Sequence, residues 1–256
     1  MNMTPAFGHQ LKQWRSTRHM SQLNLGLAAN VSARHVSFLE TGRASPSRMM
    51  VMQLCETLQV PLNARNGLLQ AAGFAKGYRA RSLDDAEMAP ARDAMSWMLT
   101  QHDPYPAMAI DQYWNIVKAN HAASLLLSAV GLAPGDSLLQ AMLHSERLRA
   151  AIVNWPEVAE HMINRLRTES AHLGHDEILS SAAQTLSQQL EASGRPLRNT
   201  PAVILPTRYL LNGLELSLFS VMAQFGSTDD IALADLKIEL MFPADEKTRK
   251  FLTKTQ

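Results

Sequence analysis

The chain has 256 residues, 46% of them hydrophobic and 18% charged, which is long enough for two globular domains of ordinary size. Its single cysteine, Cys55, excludes an internal disulfide, and the sequence shows neither an apolar run of membrane-spanning length nor a basic-then-apolar leader. These features argue against a disulfide-stapled secreted scaffold and a membrane protein, and they predict a cytoplasmic location.

Charge is divided unevenly along the chain. Residues 1–81 carry ten Lys and Arg against two Asp and Glu, whereas the remainder carries fourteen against twenty-one. The net charge of +1 therefore hides a basic block followed by an acidic block. A basic block of this kind is typical of a module that binds a polyanion. Uneven sampling of solvated surface charge is the alternative explanation.

Short helices with tight breaks are predicted over residues 7–73. The first has apolar residues at helical spacing, namely Phe7, Leu11 and Trp14. Ser21 is a suitable N-cap for the second, in which Leu23, Leu27 and Ala28 form an apolar stripe. Ser32 caps the third, which Gly42 ends. A fourth begins at Pro46 and Ser47 and runs through Gln59, and a fifth begins at Pro61 and closes near Gly73.

Residues 21–42 therefore predict a helix, a short turn and a second helix. Asn30 tolerates the left-handed conformation that the turn needs. The small side chains of Ala28 and Ala29 are expected to let the two helices cross closely, as in a helix-turn-helix.

Side chains suited to DNA gather on the third helix and beside it. The candidate DNA-binding residues are Gln22, Ser32, Arg34, His35, Ser37, Arg43 and Arg48. Arg34 is the best candidate for a bidentate contact to guanine, whereas Gln22 has the reach for a phosphate or a base. Arg43 and Arg48 are placed for flanking phosphate contacts. The alternative is a protein-interaction bundle with its arginines on a solvated face.

Two residues of this block receive a structural interpretation. An acid on a DNA-facing helix would repel phosphate, so Glu40 is expected to turn away from the groove and pair with Arg15 on the first helix. Cys55 lies among apolar residues and is expected to be a small core residue.

The segment SQLNLGLAANVSARHVSFLETGRASPS closely resembles the Cro/repressor-type helix-turn-helix family, also called the xenobiotic-response-element family. The matching positions are Ser21-Gln22, Leu27-Ala28, Val31-Ser32, Leu39 through Arg43, and Pro46-Ser47. The resemblance covers about residues 7–73 and implies that this part of the chain binds double-stranded DNA.

The rest of the chain divides into a linker, 77–103, and a second domain, 104–256, after a first domain that covers 1–76. Residues 91–101 predict a linker helix with an apolar stripe, Met95, Met98 and Leu99, that packs within the chain or pairs with a second copy.

Short strands flank a possible hairpin at 111–113, and Asn120 caps a helix. Residues 138–191 are helical with breaks, and the strands AVILP, RYLL, LELSLFSVMAQFG and IALADLKIELMFP follow, with a turn at Asn212-Gly213. This order predicts an α+β domain whose antiparallel sheet is covered by helices.

The second half resembles the ligand-binding domain of MmyB-like transcription regulators, through DPYPAMAIDQYWNIVKAN, HSERLRAAIVNWPEVA and ELMFPADEKTRKFL. The resemblance implies a PAS-like domain that senses small apolar molecules, with fatty acids as a plausible class. The candidate pocket residues are Met108, Ile110, Trp114, Leu216, Leu218, Phe219 and Met222. Only one alternation of each strand can face a pocket, so about half of them are expected to fail. Arg147 is a candidate partner for a ligand carboxylate, with surface ion pairing as the alternative.

Catalytic and metal-binding patterns are not found in the sequence. There is no phosphate-cradling glycine loop, no closely spaced cysteine pair and no nucleophile elbow. His161, His172 and His175 lack a supporting carboxylate or cysteine pattern, so neither a metal nor a cofactor other than a bound apolar molecule is expected. The sequence therefore predicts a ligand-responsive regulator, not an enzyme, that binds DNA as a homodimer. The alternative is a DNA-binding protein whose C-terminal half serves only association.

Overall fold

The computed structural model describes residues 4–194, 204–226 and 229–254. The chain forms two compact units. The first comprises Met1–Ala80 together with Thr168–Glu177 and Asp229–Ile231, and the second comprises Arg81–Arg167, Ile178–Thr228 and Ala232–Gln256.

Five helices carry the described N-terminal part of the first unit. They are α1 (Thr4–Thr17), α2 (Gln22–Ala28), α3 (Ala33–Glu40), α4 (Arg48–Thr57) and α5 (Leu62–Ala71). The hydroxyls of Ser21, Ser32 and Ser47 accept hydrogen bonds from the backbone N–H groups three residues later, at 3.0, 3.1 and 3.1 Å. These caps satisfy backbone donors that a helix start leaves unpaired, and they confirm the three predicted helix starts.

The apolar core of the first unit joins all five helices. Phe7, Leu11 and Trp14 of α1 are buried in it, as their spacing predicts. Cys55 of α4 is also buried in it, and this burial raises the pKa of the thiol to about 12. The thiol therefore stays protonated at neutral pH and behaves as a small apolar side chain.

The apolar stripe predicted on α2 is wrong. Leu23 and Leu27 are 58% and 73% exposed, and Ala28 is exposed as well. The buried side of α2 instead contains Leu25 and Gly26, with Ala29 one turn further on. A Cβ built on Gly26 would lie 2.7 Å from the carbonyl oxygen of Val31, so glycine, and not the alanine pair, permits the close crossing.

The second unit combines helices with antiparallel strands. Its elements are a 3-10 turn (Ala86–Met88), α6 (Ala89–Gln101), β1 (Ala107–Ile110), β2 (Ile116–Ala119), α7 (His121–Ala129), α8 (Leu138–His144), α9 (Glu146–Ala151), α10 (Trp155–His172), α11 (Glu177–Ala192), β3 (Thr207–Leu211), β4 (Leu214–Gln224), α12 (Ile231–Ala234), β5 (Lys237–Pro243) and α13 (Glu246–Lys254). The ends of α10, α11 and α12 extend into stretches assigned to the first unit.

The described strands form one sheet in the order β2-β1-β5-β4-β3, with every neighbouring pair antiparallel. Asp111 holds the β1–β2 turn, because its carboxylate accepts hydrogen bonds from the backbone N–H groups of Tyr113 and Asn115. Asn212 and Gly213 link β3 to β4 with positive φ angles of 51° and 79°, the conformation that a tight hairpin turn needs. Both predicted hairpins are therefore present, and the α+β fold is confirmed.

Two predicted strands differ from the structure. Ile231–Ala234 is helical, and the last strand begins only at Lys237. This stretch has three residues of high helix propensity, so local preference favours a helical turn before the strand. In AVILP, residues 202 and 203 lie outside the described residues, and residues 204–206 are not part of a strand.

Helix α6 packs within the second unit. Met95 and Leu99 are buried against Ala107 and Ala109 of β1, and Met98 contacts the same cluster. This face of the sheet is therefore covered by α6, which is the intramolecular packing of the two arrangements considered from sequence.

Candidate DNA interface and ligand cavity

Helix α3 turns two different faces toward core and solvent. Val36 and Leu39 are fully buried in the core of the first unit. Arg34 is exposed, and His35 and Ser37 are half-buried. Because α3 begins with the Ser32 cap, its N-terminal turn presents Ser32 and Arg34 to solvent, the end that a recognition helix turns to base edges.

Two of the candidate arginines gather at one aromatic ring. The guanidinium groups of Arg34 and Arg43 lie over the ring of Phe38, 5.2 and 6.0 Å from its centroid. Such contacts orient a guanidinium without neutralising it. Sequence analysis did not include the half-buried Phe38 in the site. Its position next to the buried face of α3, between Val36 and Leu39 in sequence, was the signal that it lies at the edge of the exposed face.

Glu40 closes a hydrogen-bonded network between α1, α2 and α3. Arg15 donates to both of its carboxylate oxygens, from Nε at 2.6 Å and from Nη2 at 3.0 Å. The side chain of Glu40 is only 3% exposed, so it is withdrawn from solvent. The hydrogen bond from Arg15 to Glu40 raises the pKa of the Arg15 guanidinium.

Gln22 and Arg48 are partly committed to contacts within the protein. Gln22 donates from Nε2 to Glu40 Oε2 at 2.8 Å, which fixes the amide so that its oxygen remains available as an acceptor. Arg48 donates from Nη1 to the carbonyl oxygen of Ala75 at 3.0 Å. A DNA contact of Gln22 would therefore use its amide oxygen, and one of Arg48 would use the guanidinium nitrogens other than Nη1.

The face of the sheet opposite α6 contains most of the predicted pocket residues. Strand pairing places Met108 and Met222 beside Glu239, Ile110 beside Lys237, Leu216 beside Tyr209, and Leu218 beside Thr207. Partners in an antiparallel pair share a face, so these residues lie together. Phe219 pairs with Phe242 and stacks on it on the opposite face, with ring centroids 5.7 Å apart. Phe219 therefore does not line the pocket.

A cavity of about 90 Å³ lies between this sheet face and the helices. Residues of four strands (β1, β3, β4 and β5), of four helices (α7 to α10) and of the turn before β2 line it, among them Met108, Trp114, Leu126, Tyr209, Glu239 and Met241. Trp114 follows the Asp111 turn with a positive φ of 63° and is buried. Of the predicted pocket residues, Met108 and Trp114 line this cavity.

A groove of about 760 Å³ adjoins the cavity and opens to solvent. It runs between α7, the β3–β4 hairpin and α13, and its lining includes Leu125, Leu126, Leu216, Leu218 and Phe251. Leu126 lines both spaces, so the groove and the cavity are neighbours across one side chain. Of the predicted pocket residues, Leu216 and Leu218 line the groove, whereas Ile110 and Met222 line neither space.

No lysine or arginine lines either space in the described part of the chain. Arg147, the predicted carboxylate partner, is exposed and donates from Nε to the carbonyl oxygen of Ala129 at 3.0 Å. Arg165 and Lys237 lie over the ring of Trp114, 4.5 and 5.3 Å from its centroid. The cations near the cavity therefore contact the ring that forms its wall.

Tyr209 and Glu239 are the polar residues of the cavity that sequence analysis missed. Burial, followed by the nearby Glu239 carboxylate, raises the pKa of Tyr209, so its hydroxyl stays protonated. Glu239 is 7% exposed on a strand whose neighbours Ile238 and Leu240 are apolar. A charged residue in a core-facing register of a predicted strand was the signal that could have found it.

Together the two units define a class of protein. A helix-turn-helix with an exposed basic turn serves DNA binding, and an α+β unit with an apolar cavity serves the binding of a small molecule. The chain is thus a DNA-binding transcription regulator with a ligand-binding domain.

Comparison with models of protein families identifies the family of each unit. Residues 6–68 match the model of a helix-turn-helix domain, and residues 91–254 match the MmyB-like transcription regulator ligand binding domain. The second match covers more than half of the chain, which therefore belongs to the MmyB-like transcription regulators. No curated protein sequence matches it at a significant level. Within residues 4–194, 204–226 and 229–254, every helix is too short or too polar to span a lipid bilayer.

Proposed function

We propose that this regulator binds its operator as a homodimer and that an apolar small molecule, with a chain like that of a fatty acid, controls the binding. The observation that carries the proposal is the groove of about 760 Å³ beside the smaller cavity. Its volume falls in the range of small-molecule sites, and leucine is the commonest residue in its lining. A flexible apolar chain fits such walls because burial of apolar surface supplies the affinity.

The homodimer follows from the geometry of DNA reading. One helix of eight residues reaches only a few base pairs, so a second copy of α3 is needed to read a longer site. Two recognition helices about 34 Å apart would meet successive major grooves on one side of the duplex. The proposed DNA contacts are those of Arg34 and its neighbours on α3, with Arg43 and Arg48 on phosphates.

Ligand control requires that the ligand bind two arrangements of the regulator with different affinity. A ligand that prefers one arrangement shifts the population toward it, and by linkage operator DNA then changes the affinity for the ligand by the same factor. A coupling of this kind typically changes affinity about 5- to 150-fold.

Replacing Leu126 by tryptophan will remove ligand control. Leu126 lines both the groove and the cavity, so a larger ring there fills the space at their junction. We expect ligand affinity to fall by about tenfold or more, because the chain loses buried contacts and meets a steric clash. Operator affinity, followed by fluorescence anisotropy, should then no longer respond to the ligand.

Leu210→Trp is the matched control, because Leu210 is 48% exposed on β3 and lines neither space. It should retain both ligand binding and the response. Native mass spectrometry of the purified protein supplies the ligand for these titrations. A dimer that carries no small molecule, with operator affinity equal in both tryptophan variants and the wild type, would favour a C-terminal unit that serves only association.

A further inference from the structure

Glu239 lines the cavity, and among the described residues its carboxylate has no hydrogen-bond or ion-pair partner. It is 7% exposed, and its side chain is part of the cavity lining. In the described part of the chain, no group donates a hydrogen bond to its carboxylate and no cation forms an ion pair with it. Buried carboxylates are normally paired or hydrogen-bonded, because loss of hydration is strongly unfavourable. The carboxylate of Glu239 therefore needs donors from the cavity itself, which water or the head group of a ligand can supply.

Among the described residues that line the cavity, Glu239 is the acidic one, and none is a lysine, arginine or histidine. Lys237 stands two residues earlier on the same face of β5, but it contacts the Trp114 ring and does not line the cavity. Tyr209 and Thr207 each contribute a hydroxyl group to the cavity lining from β3. Ser220 is the remaining polar side chain among the described lining residues. A ligand head that enters here meets one carboxylate, three hydroxyl groups and apolar walls.

The cavity and the groove differ in size, so they suit different parts of one ligand, a small head and a long tail. The cavity of about 90 Å³ can hold a small head group but not a long chain. The groove of about 760 Å³ has room for a long chain and meets the cavity at Leu126. A molecule with its chain in the groove therefore brings its head toward Glu239.

We propose that the ligand's head donates hydrogen bonds to Glu239, as an ammonium or hydroxyl group does, and that it is not a carboxylate. This inference rests on the proposed ligand control. A carboxylate head would meet a second negative charge at Glu239, and no lysine or arginine among the described lining residues would offset the repulsion. An ammonium group both donates and neutralises, so it fits best.

The test compares three probes with the same ten-carbon chain, decylamine, decan-1-ol and decanoate. Titration calorimetry of the full chain at pH 8 gives their affinities. We expect decylamine to bind about tenfold or more tightly than decanoate. Glu239→Gln should weaken decylamine by about tenfold or more and reduce the difference between the two. Glu215→Gln removes the same charge from the other face of the sheet and should change neither affinity.

Circular dichroism melting of each variant shows whether it folds, and Glu239→Asp, which withdraws the carboxylate by one methylene, provides a second variant if Glu239→Gln does not. Decanoate as the tightest probe, or an unchanged order of affinities in the Glu239 variants, would overturn the inference and leave the proposed ligand control standing. Absence of binding by all three probes would overturn both.

Discussion

Replacing Glu40 by alanine is expected to lower the free energy of unfolding of the first unit by about 3 kcal/mol or more. Arg15 and Glu40 form a buried pair, with side chains 12% and 3% exposed. Without Glu40, the guanidinium of Arg15 stays buried with its charge uncompensated, and the amide of Gln22 loses its acceptor as well. Hydrogen exchange of peptides from α1 to α3 in the full chain should therefore accelerate by about two orders of magnitude or more.

Glu56→Ala provides the control, because Glu56 is an exposed acid on α4 of the same unit. Its exchange rates should match those of the wild type. Equal protection of α1 to α3 in the Glu40 and Glu56 variants would show that the network does not stabilise the unit.

Replacing Gly26 by alanine should disturb the crossing of α2 and α3. The added Cβ would lie 2.7 Å from the carbonyl oxygen of Val31 and 3.0 Å from the backbone nitrogen of Ala33, both too close for a methyl group. The turn must shift, at a cost of about 1–3 kcal/mol in unfolding free energy. Because α3 moves with the turn, operator affinity should fall by about tenfold or more even where the protein remains folded.

Gly67→Ala is a closely matched control, since Gly67 lies within α5 and its added Cβ would meet only Gln10 Oε1, at 3.7 Å. Alanine is a better helix former than glycine, so this variant should be as stable as the wild type or more stable by up to about 1 kcal/mol. Similar melting temperatures and operator affinities for both variants would contradict the role assigned to Gly26.

The helix-turn-helix could be predicted from sequence because its signals are local. Ser21, Ser32 and Ser47 cap helices through bonds to residues three positions later, so a short window contains the whole interaction. Phe7, Leu11 and Trp14 likewise repeat at helical spacing on α1. Cap and period together were sufficient to place these helices.

The buried face of α2 could not be predicted in the same way. A seven-residue helix completes barely two turns, so its apolar residues fit more than one face. Leu23 and Leu27 make one consistent stripe, and Leu25 with Gly26 and Ala29 make another. The packing of α2 against α3 decides which stripe is buried. Gly26 belongs to the buried stripe, and its missing side chain lets the backbone of α2 approach the turn before α3.

The ligand site shows the limit more sharply. Alternation along a strand divides its residues between two faces, but it does not show which face lines a ligand site. Leu218 and Phe219 lie on opposite faces of β4, and only Leu218 lines the groove. Arg147 looks like a carboxylate partner in sequence, yet its guanidinium is bound to a helix carbonyl. Glu239 enters the site only through long-range pairing of β5 with β1 and β4.

The central claim is that α3 lies in the major groove and presents Arg34 and His35 to the bases. Immunoprecipitation of DNA fragments with the regulator, followed by sequencing, will identify the operator on which the claim is tested. The variant Arg34→Ala with His35→Ala should lose about tenfold or more of operator affinity and most of its preference over unrelated DNA. Lys76→Ala removes one exposed positive charge elsewhere in the same unit and should weaken both DNAs slightly and equally. Unchanged affinity and unchanged sequence preference in the double variant would contradict the placement of α3 in the groove.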